Sequence, residues 1–215
     1  MWAAKSKTAD TLQALIAAKA SINTKTTDGN TALNLAAWWG NVDCIRMLVE
    51  ARADLEAKTE NGNVALLWAA LGGHSECVRF LLGAQANIGA KNSAGDTALI
   101  LAASLNRVKC VEVLIDANAD IDAQNNVGET ALIVASRDKN GQFLRRYLEG
   151  NTFGASTLLE ASRGRVRCLE LLIEAKADIE AKDNEGETAL MLLSHHGDAD
   201  IMRKLMECNA KKPRI

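Results

Sequence analysis

A shift of 33 residues lays this chain onto itself. Residues 26–58, TTDGNTALNLAAWWGNVDCIRMLVEARADLEAK, recur as 59–91 and again as 92–124. The phase is interrupted once and resumes in 183–215, with an irregular stretch in between. A period of this size marks a linear array of small supersecondary units. No single unit can bury its own apolar face, so neighbours must stack and the fold grows in one dimension. One continuous solenoid over residues 1–215 follows, in preference to one or two ordinary globular domains.

Each unit reads as two short helices and a turn. Asp28-Gly29 is a turn dipeptide in which glycine supplies positive φ cheaply. Thr31 stands where a helix N-cap belongs, and the Ala-Leu run after it predicts a first helix over 32–39. Within that helix Ala36 and Ala37 let the next unit approach closely, and Gly40-Asn41 ends it. Val42, Ile45, Leu48 and Val49 then fall on one face at helical spacing, predicting a second helix over 42–50. Residues 53–57 run extended towards the next turn.

These residues resemble the ankyrin repeat family. Its pattern of G-x-T-P-L-H-x-A-A-x-x-G, an apolar helix and G-A-D-[IV]-x-A is present here as G-N-T-A-L-N-L-A-A-W-W-G and A-R-A-D-L-E-A. The resemblance implies an all-α solenoid of stacked helix-turn-helix units with short β-turn fingers. Three departures have physical consequences. The helix-opening proline is alanine at Ala32, Ala65, Ala98, Ala131 and Ala189, a good helix former that gives up little stability. The family's histidine is replaced by Asn34, Leu67, Ile100, Ile133 and Met191, which is expected to remove a hydrogen bond between turn and helix. The glycine that closes the second helix becomes Arg52, Gln85, Asn118 and Lys176, and these four are expected to take positive φ at a cost of about 1–2 kcal/mol each.

The array is read as a partial unit over 1–25, regular units over 26–58, 59–91 and 92–124, a shortened unit over 125–149, an irregular one over 150–182 and a last one over 183–215. Trp2-Ala3-Ala4 aligns with Trp68-Ala69-Ala70, so Met1 falls inside a first helix, as expected of a longer array or a minimal cap. The irregular stretch regains phase at Gly164, Cys168 and Ala177-Asp178-Ile179.

Composition excludes several classes. Hydrophobic residues at 48% and charged residues at 24% suit a folded soluble chain. A formal charge of −2 offers no global field for nucleic acid or acidic membranes. No apolar run approaches the roughly 18 residues that span a bilayer, and MWAAKSKTADTLQ turns polar too soon for a signal peptide. A cytoplasmic or other intracellular location is expected. Cys44, Cys77, Cys110 and Cys168 share one phase of the repeat. Stacked helices lie roughly 8–10 Å apart, whereas a disulfide needs Cα atoms within about 7 Å. These cysteines are therefore expected to be reduced and structural, and no C-x-x-C pair suggests zinc.

Chemistry is sparse. The chain has no glycine-rich phosphate loop, no H-E-x-x-H and no G-x-S-x-G. His195 and His196 are adjacent at a helix end without a third ligand nearby, His74 sits at a helix start, and Asp198 and Asp200 open a helix. No catalytic residue, metal or cofactor is expected.

What the family resemblance implies is a binding surface on the turns and the exposed edges of the first helices, taking another protein or peptide, with the chain itself a monomer. By register it includes Asp28, Asn30, Trp38, Trp39, Asn61, Asn63 and Leu71. It continues through Asp96, Leu105, Glu129, Arg137, Asp138, Arg163, Glu187, His195 and His196. Two features mark it. Successive tryptophans cannot both face one side of a helix, so one of Trp38 and Trp39 is expected exposed as an interaction anchor, unless Trp39 caps the open first unit. The second is a basic cluster of Arg137, Lys139, Arg145, Arg146, Arg163, Arg165 and Arg167, seven cations against three acids over 137–167. It would suit an acidic peptide, a phosphate or RNA, although helices would spread it over several faces. A regulatory or targeting piece of a larger polypeptide is the other alternative.

Overall fold

The computed structural model describes residues 9–137, 155–196, 202–203 and 206–207, side chains excepted at 9, 155–162, 195 and 196. It begins with α1 (Ala9–Ala17). Three helix pairs follow: α2 (Ala32–Trp38) with α3 (Val42–Glu50), α4 (Ala65–Gly72) with α5 (Ser75–Gly83), and α6 (Ala98–Ser104) with α7 (Val108–Asp116). Next come α8 (Ala131–Ser136), the long α9 (Ala155–Glu174) and α10 (Ala189–His196). First helices pack on first helices, in the order α2, α4, α6, α8, α10, and second helices on second, in the order α3, α5, α7, α9.

Threonine starts most first helices. Thr31, Thr97 and Thr130 each accept a hydrogen bond at Oγ1 from the backbone N–H three residues on, at 3.3 Å. Each satisfies one orphan donor of a helix too short to lose many. Val64 holds the same place before α4 and offers no side-chain cap.

The core is built of columns that climb the stack. Cys44, Cys77, Cys110 and Cys168 are fully buried, as are Ile45, Val78, Val111 and Leu169 one residue later. Leu48, Leu81, Leu114 and Leu172 form a third column, each side chain contributing about 1.5–3 kcal/mol by burial. Between first helices the contact is made by alanine: Ala36, Ala37, Ala69, Ala70, Ala102 and Ala103 have no exposed surface. The four cysteines carry no disulfide.

Second helices close as the sequence suggests. Arg52, Gln85, Asn118 and Lys176 have φ of 65°, 70°, 59° and 67°. The left-handed turn lets Arg52 N–H reach Val49 O at 3.0 Å and Ala53 N–H reach Leu48 O at 2.9 Å, so two end carbonyls are satisfied. That recovery is why a side chain is tolerated where glycine is easier.

The expected loss of a turn-to-helix hydrogen bond is corrected at Asn34. Its Nδ2 donates to Ala57 O at 3.1 Å and Asn63 O at 3.4 Å, binding α2 to the closing loop of its own unit and the finger of the next. At Leu67, Ile100 and Ile133 the side chains are apolar and buried, so packing replaces the bond.

Fingers stack tip on tip through backbone bonds: Glu60 N–H to Asp28 O, Ser93 N–H to Asn61 O, Asn126 N–H to Ala94 O, and Asn184 N–H to Val127 O. Gly95 shows what this contact demands. Its φ is +80°, and a Cβ there would stand 2.7 Å from Asn126 N.

The last of these bonds changes how the irregular region is divided. Lys91 Nζ donates to Gln124 O across 33 residues, and Gln124 Nε2 donates to Lys182 O across 58. Asn126 Nδ2 reaches Ser93 O across 33, and Asn184 Nδ2 reaches Asn126 O across 58. The finger at 183–186 therefore sits directly on the finger at 125–128, and α9 packs against both α7 and α8. In place of a shortened unit over 125–149 and an irregular one over 150–182, we propose a single unit over 125–182. It carries an excess of 25 residues between its first helix and the second-helix half of α9. The boundary at 149/150 lies outside the described residues.

Candidate binding face

The residues expected on the finger and first-helix face separate into two groups. At one end, α2 finishes in Trp38, and Trp39 is its C-cap. Trp38 is 37% and Trp39 47% exposed. The expectation that one of them is exposed is thus corrected to both, because the chain leaves the helix between them and turns at Gly40, φ +69°. Trp38 is braced from behind: its ring meets Trp68 of α4 edge-on, with centroids 5.1 Å apart and planes at 78°. His74 Nε2 lies 2.9 Å from Trp38 O. Arg107 Nε donates to Leu71 O at 3.3 Å, repeating that brace one unit on. Around the tryptophans Asp28 and Asn61 are exposed, and Asn30, Leu71 and Leu105 are half-buried. Asn63 is buried, its N–H bonded to Thr59 Oγ1 and its carbonyl to Asn34, so it offers little to a partner.

At the other end the charged residues are joined to one another. Asn125 Nδ2 donates to Asp96 Oδ1 at 2.9 Å and to Glu129 Oε2 at 3.2 Å. Arg137 Nε stands 2.8 Å from Glu129 Oε1, and its Nη2 donates to Asp183 Oδ2 and Glu187 Oε2. One polar chain thus runs across three fingers. Burial opposes the charge on Arg137, but the bond to Asp183 and the three carboxylates outweigh it and hold its pKa above the ordinary value. For Asp183 burial would raise the pKa; the Glu187 N–H, the Arg137 guanidinium and the Glu185 N–H prevail and hold it low. Carboxylate oxygens of Asp183, Glu185 and Glu187 lie within 4.8 Å of one another, a spacing usable by a cation. Arg137 supplies the positive charge beside them.

The basic cluster does not assemble among the described residues. Arg137 is enclosed by acids, Arg165 is buried, and Arg167 pairs with Glu170 and Glu174 on α9. Arg163 is exposed. Asp138, Lys139, Arg145, Arg146, Asp198 and Asp200, and the side chains of His195 and His196, lie outside the described residues.

The cysteines are inert by environment. Burial pushes the thiols of Cys77 and Cys168 up to about 12 and that of Cys110 to about 11. No described helix is long and apolar enough to cross a membrane.

Helix pairs shingled into a stack, with turn fingers bonded tip to tip, define a helical repeat solenoid. A family model of ankyrin repeats in three copies matches residues 1–92, 84–150 and 132–214, and the chain belongs to the ankyrin repeat family. Among solved structures it is similar to an ankyrin repeat domain from Acinetobacter baumannii AYE, with 27% identity, a TM-score of 0.80, and coverage of 97% of this chain and 96% of that one. A second ankyrin repeat protein is similar at 25% identity and a TM-score of 0.78, over 95% of this chain and 94% of that one. Ankyrin repeats are generally protein–protein interaction modules and typically non-catalytic scaffolds.

Proposed function

We propose that this chain is a non-catalytic module that holds another protein or peptide on its finger and first-helix face, with Trp38 and Trp39 as the anchor. It works as a monomer inside the cell, and its four unbridged, buried cysteines are compatible with a reducing compartment. The observation that carries the reading is the contrast between the two ends of the face. The charged end satisfies itself through Asp96, Asn125, Glu129, Arg137 and Asp183. The tryptophan end leaves Trp38 37% and Trp39 47% exposed, with Trp38 braced against Trp68. Tryptophan buries much surface with little loss of side-chain freedom, which is why it dominates binding hot spots.

The test is a partner captured by the wild-type chain and then titrated against Trp38→Ala and Trp39→Ala. At least one substitution weakens binding by about 1 kcal/mol or more, roughly fivefold in Kd, in a variant that still unfolds cooperatively well above the assay temperature. Unaltered affinity in both variants overturns the assignment of the anchor.

A further inference from the structure

Below the fingers a second ladder joins successive units, made of side chains that accept a backbone N–H from the unit above. Asn23 Oδ1 accepts from Asp54 N–H at 3.0 Å, and Glu56 Oε1 from Asn87 N–H at 2.8 Å, each pair 31 residues apart. Asp122 Oδ1 accepts from Asp178 N–H at 2.7 Å. By the same register Asp120 N–H should find its acceptor at residue 89. That residue is Gly89, and no described side chain accepts from Asp120 N–H.

The missing rung coincides with a cleft. A cavity of about 350 Å³ opens between the two loops, lined by Gly89, Lys91, Thr97, Asp120, Asp122 and Gln124 among others. A Cβ on Gly89 would meet only Asn87 Oδ1, at 3.5 Å, so the place of the absent side chain is open. Lys91 puts a cation on the wall, its Nζ bonded to Gln124 O at 2.8 Å. Each lining aspartate turns one oxygen to a backbone donor: Asp120 Oδ1 accepts from Asp122 N–H and Asp122 Oδ1 from Asp178 N–H. A carboxylate rung placed next to an aspartate is already present in this fold, at Asp122 and Asp178.

We propose that the cleft at Gly89 binds a carboxylate from another molecule, which completes the ladder by accepting from Asp120 N–H beside Lys91. This contact is separate from the tryptophan anchor and does not depend on it.

The experiment follows backbone amide resonances of the full chain during titration with sodium acetate, and separately with an Ala-Asp-Ala peptide blocked at both ends, at constant ionic strength. The Asp120 amide shifts saturably, whereas those of Asp54, Asn87 and Asp178, already paired, stay in place. Gly89→Asp supplies the rung internally and abolishes the shift; Gly89→Ala, which adds a Cβ and no acceptor, keeps it. A response to the peptide at lower concentration than to acetate supports a partner's acidic side chain as the occupant, and the reverse order supports a small carboxylate. A shift matched by chloride, one shared equally by the four amides, or one surviving in Gly89→Asp overturns the proposal.

Discussion

Arg137, the residue that caps α8, donates from Nη2 to Asp183 Oδ2 at 2.5 Å, across 46 residues of sequence. The Asp183 side chain is 2% exposed and that of Arg137 24%. This pair fastens the last described finger to the C-terminal end of α8. Arg137→Met leaves a buried carboxylate without its counter-charge and should cost about 3 kcal/mol. Urea titration checks it, and a loss under about 0.5 kcal/mol would show the joint to be dispensable.

The same pair sets a pH dependence. Asp183 titrates below its ordinary value of 3.8, since its backbone donors and Arg137 outweigh burial. A group with a depressed folded pKa contributes stability above its unfolded pKa and loses it as pH falls through the folded one. Melting temperature should therefore fall below about pH 5, more steeply in the wild type than in Arg137→Met, where the depression is smaller. Parallel curves for the two proteins would contradict this origin.

Val64 is the one first-helix opening among α2, α4, α6 and α8 without a hydroxyl cap. Val64→Thr restores the oxygen in nearly the same volume and should stabilise the fold by about 0.5–1 kcal/mol. A fall in melting temperature would mean the hydroxyl finds no donor there.

Arg52 occupies a left-handed turn at φ 65°. Glycine removes that strain but carries more unfolded-state entropy, so Arg52→Gly should stabilise by about 0.5–1 kcal/mol. Calorimetry reads the sign directly.

If 125–182 is one interrupted unit, cutting out 138–162 should leave a seamless stack. The excision joins Arg137 to Arg163-Gly164-Arg165, a three-residue connection like Leu105-Asn106-Arg107, with Gly164 where Gly40, Gly73 and Asn106 adopt positive φ. The shortened chain should melt cooperatively within about 1 kcal/mol of the parent, or roughly 2–4 °C. Loss of a cooperative transition would return the region to two units.

Much of the molecule was legible in the chain because its contacts are nearly local. The Thr31 cap, the positive φ of Arg52 and its counterparts, and the columns headed by Cys44 and Leu48 all follow from a residue's place in a unit and its copy one unit on. A one-dimensional stack repeats the same neighbourhood, so register stands in for distance. Where the period broke, register failed. The direct seating of the 183–186 finger on the 125–128 finger, and the enclosure of Arg137 by Glu129, Asp183 and Glu187, join residues that spacing keeps apart. An arginine read as free cationic surface thereby became an internal tie.

Self-similarity of the sequence was enough to settle the architecture, since apolar helix faces that recur at fixed spacing have no stable place except against their own copies. Which side chains remain open to another molecule was decided only by folding. Exposure of Trp38 and Trp39, neutralisation of the charged end and the vacancy beside Gly89 depend on what the adjoining unit brings into reach, and that is a property of the assembled stack.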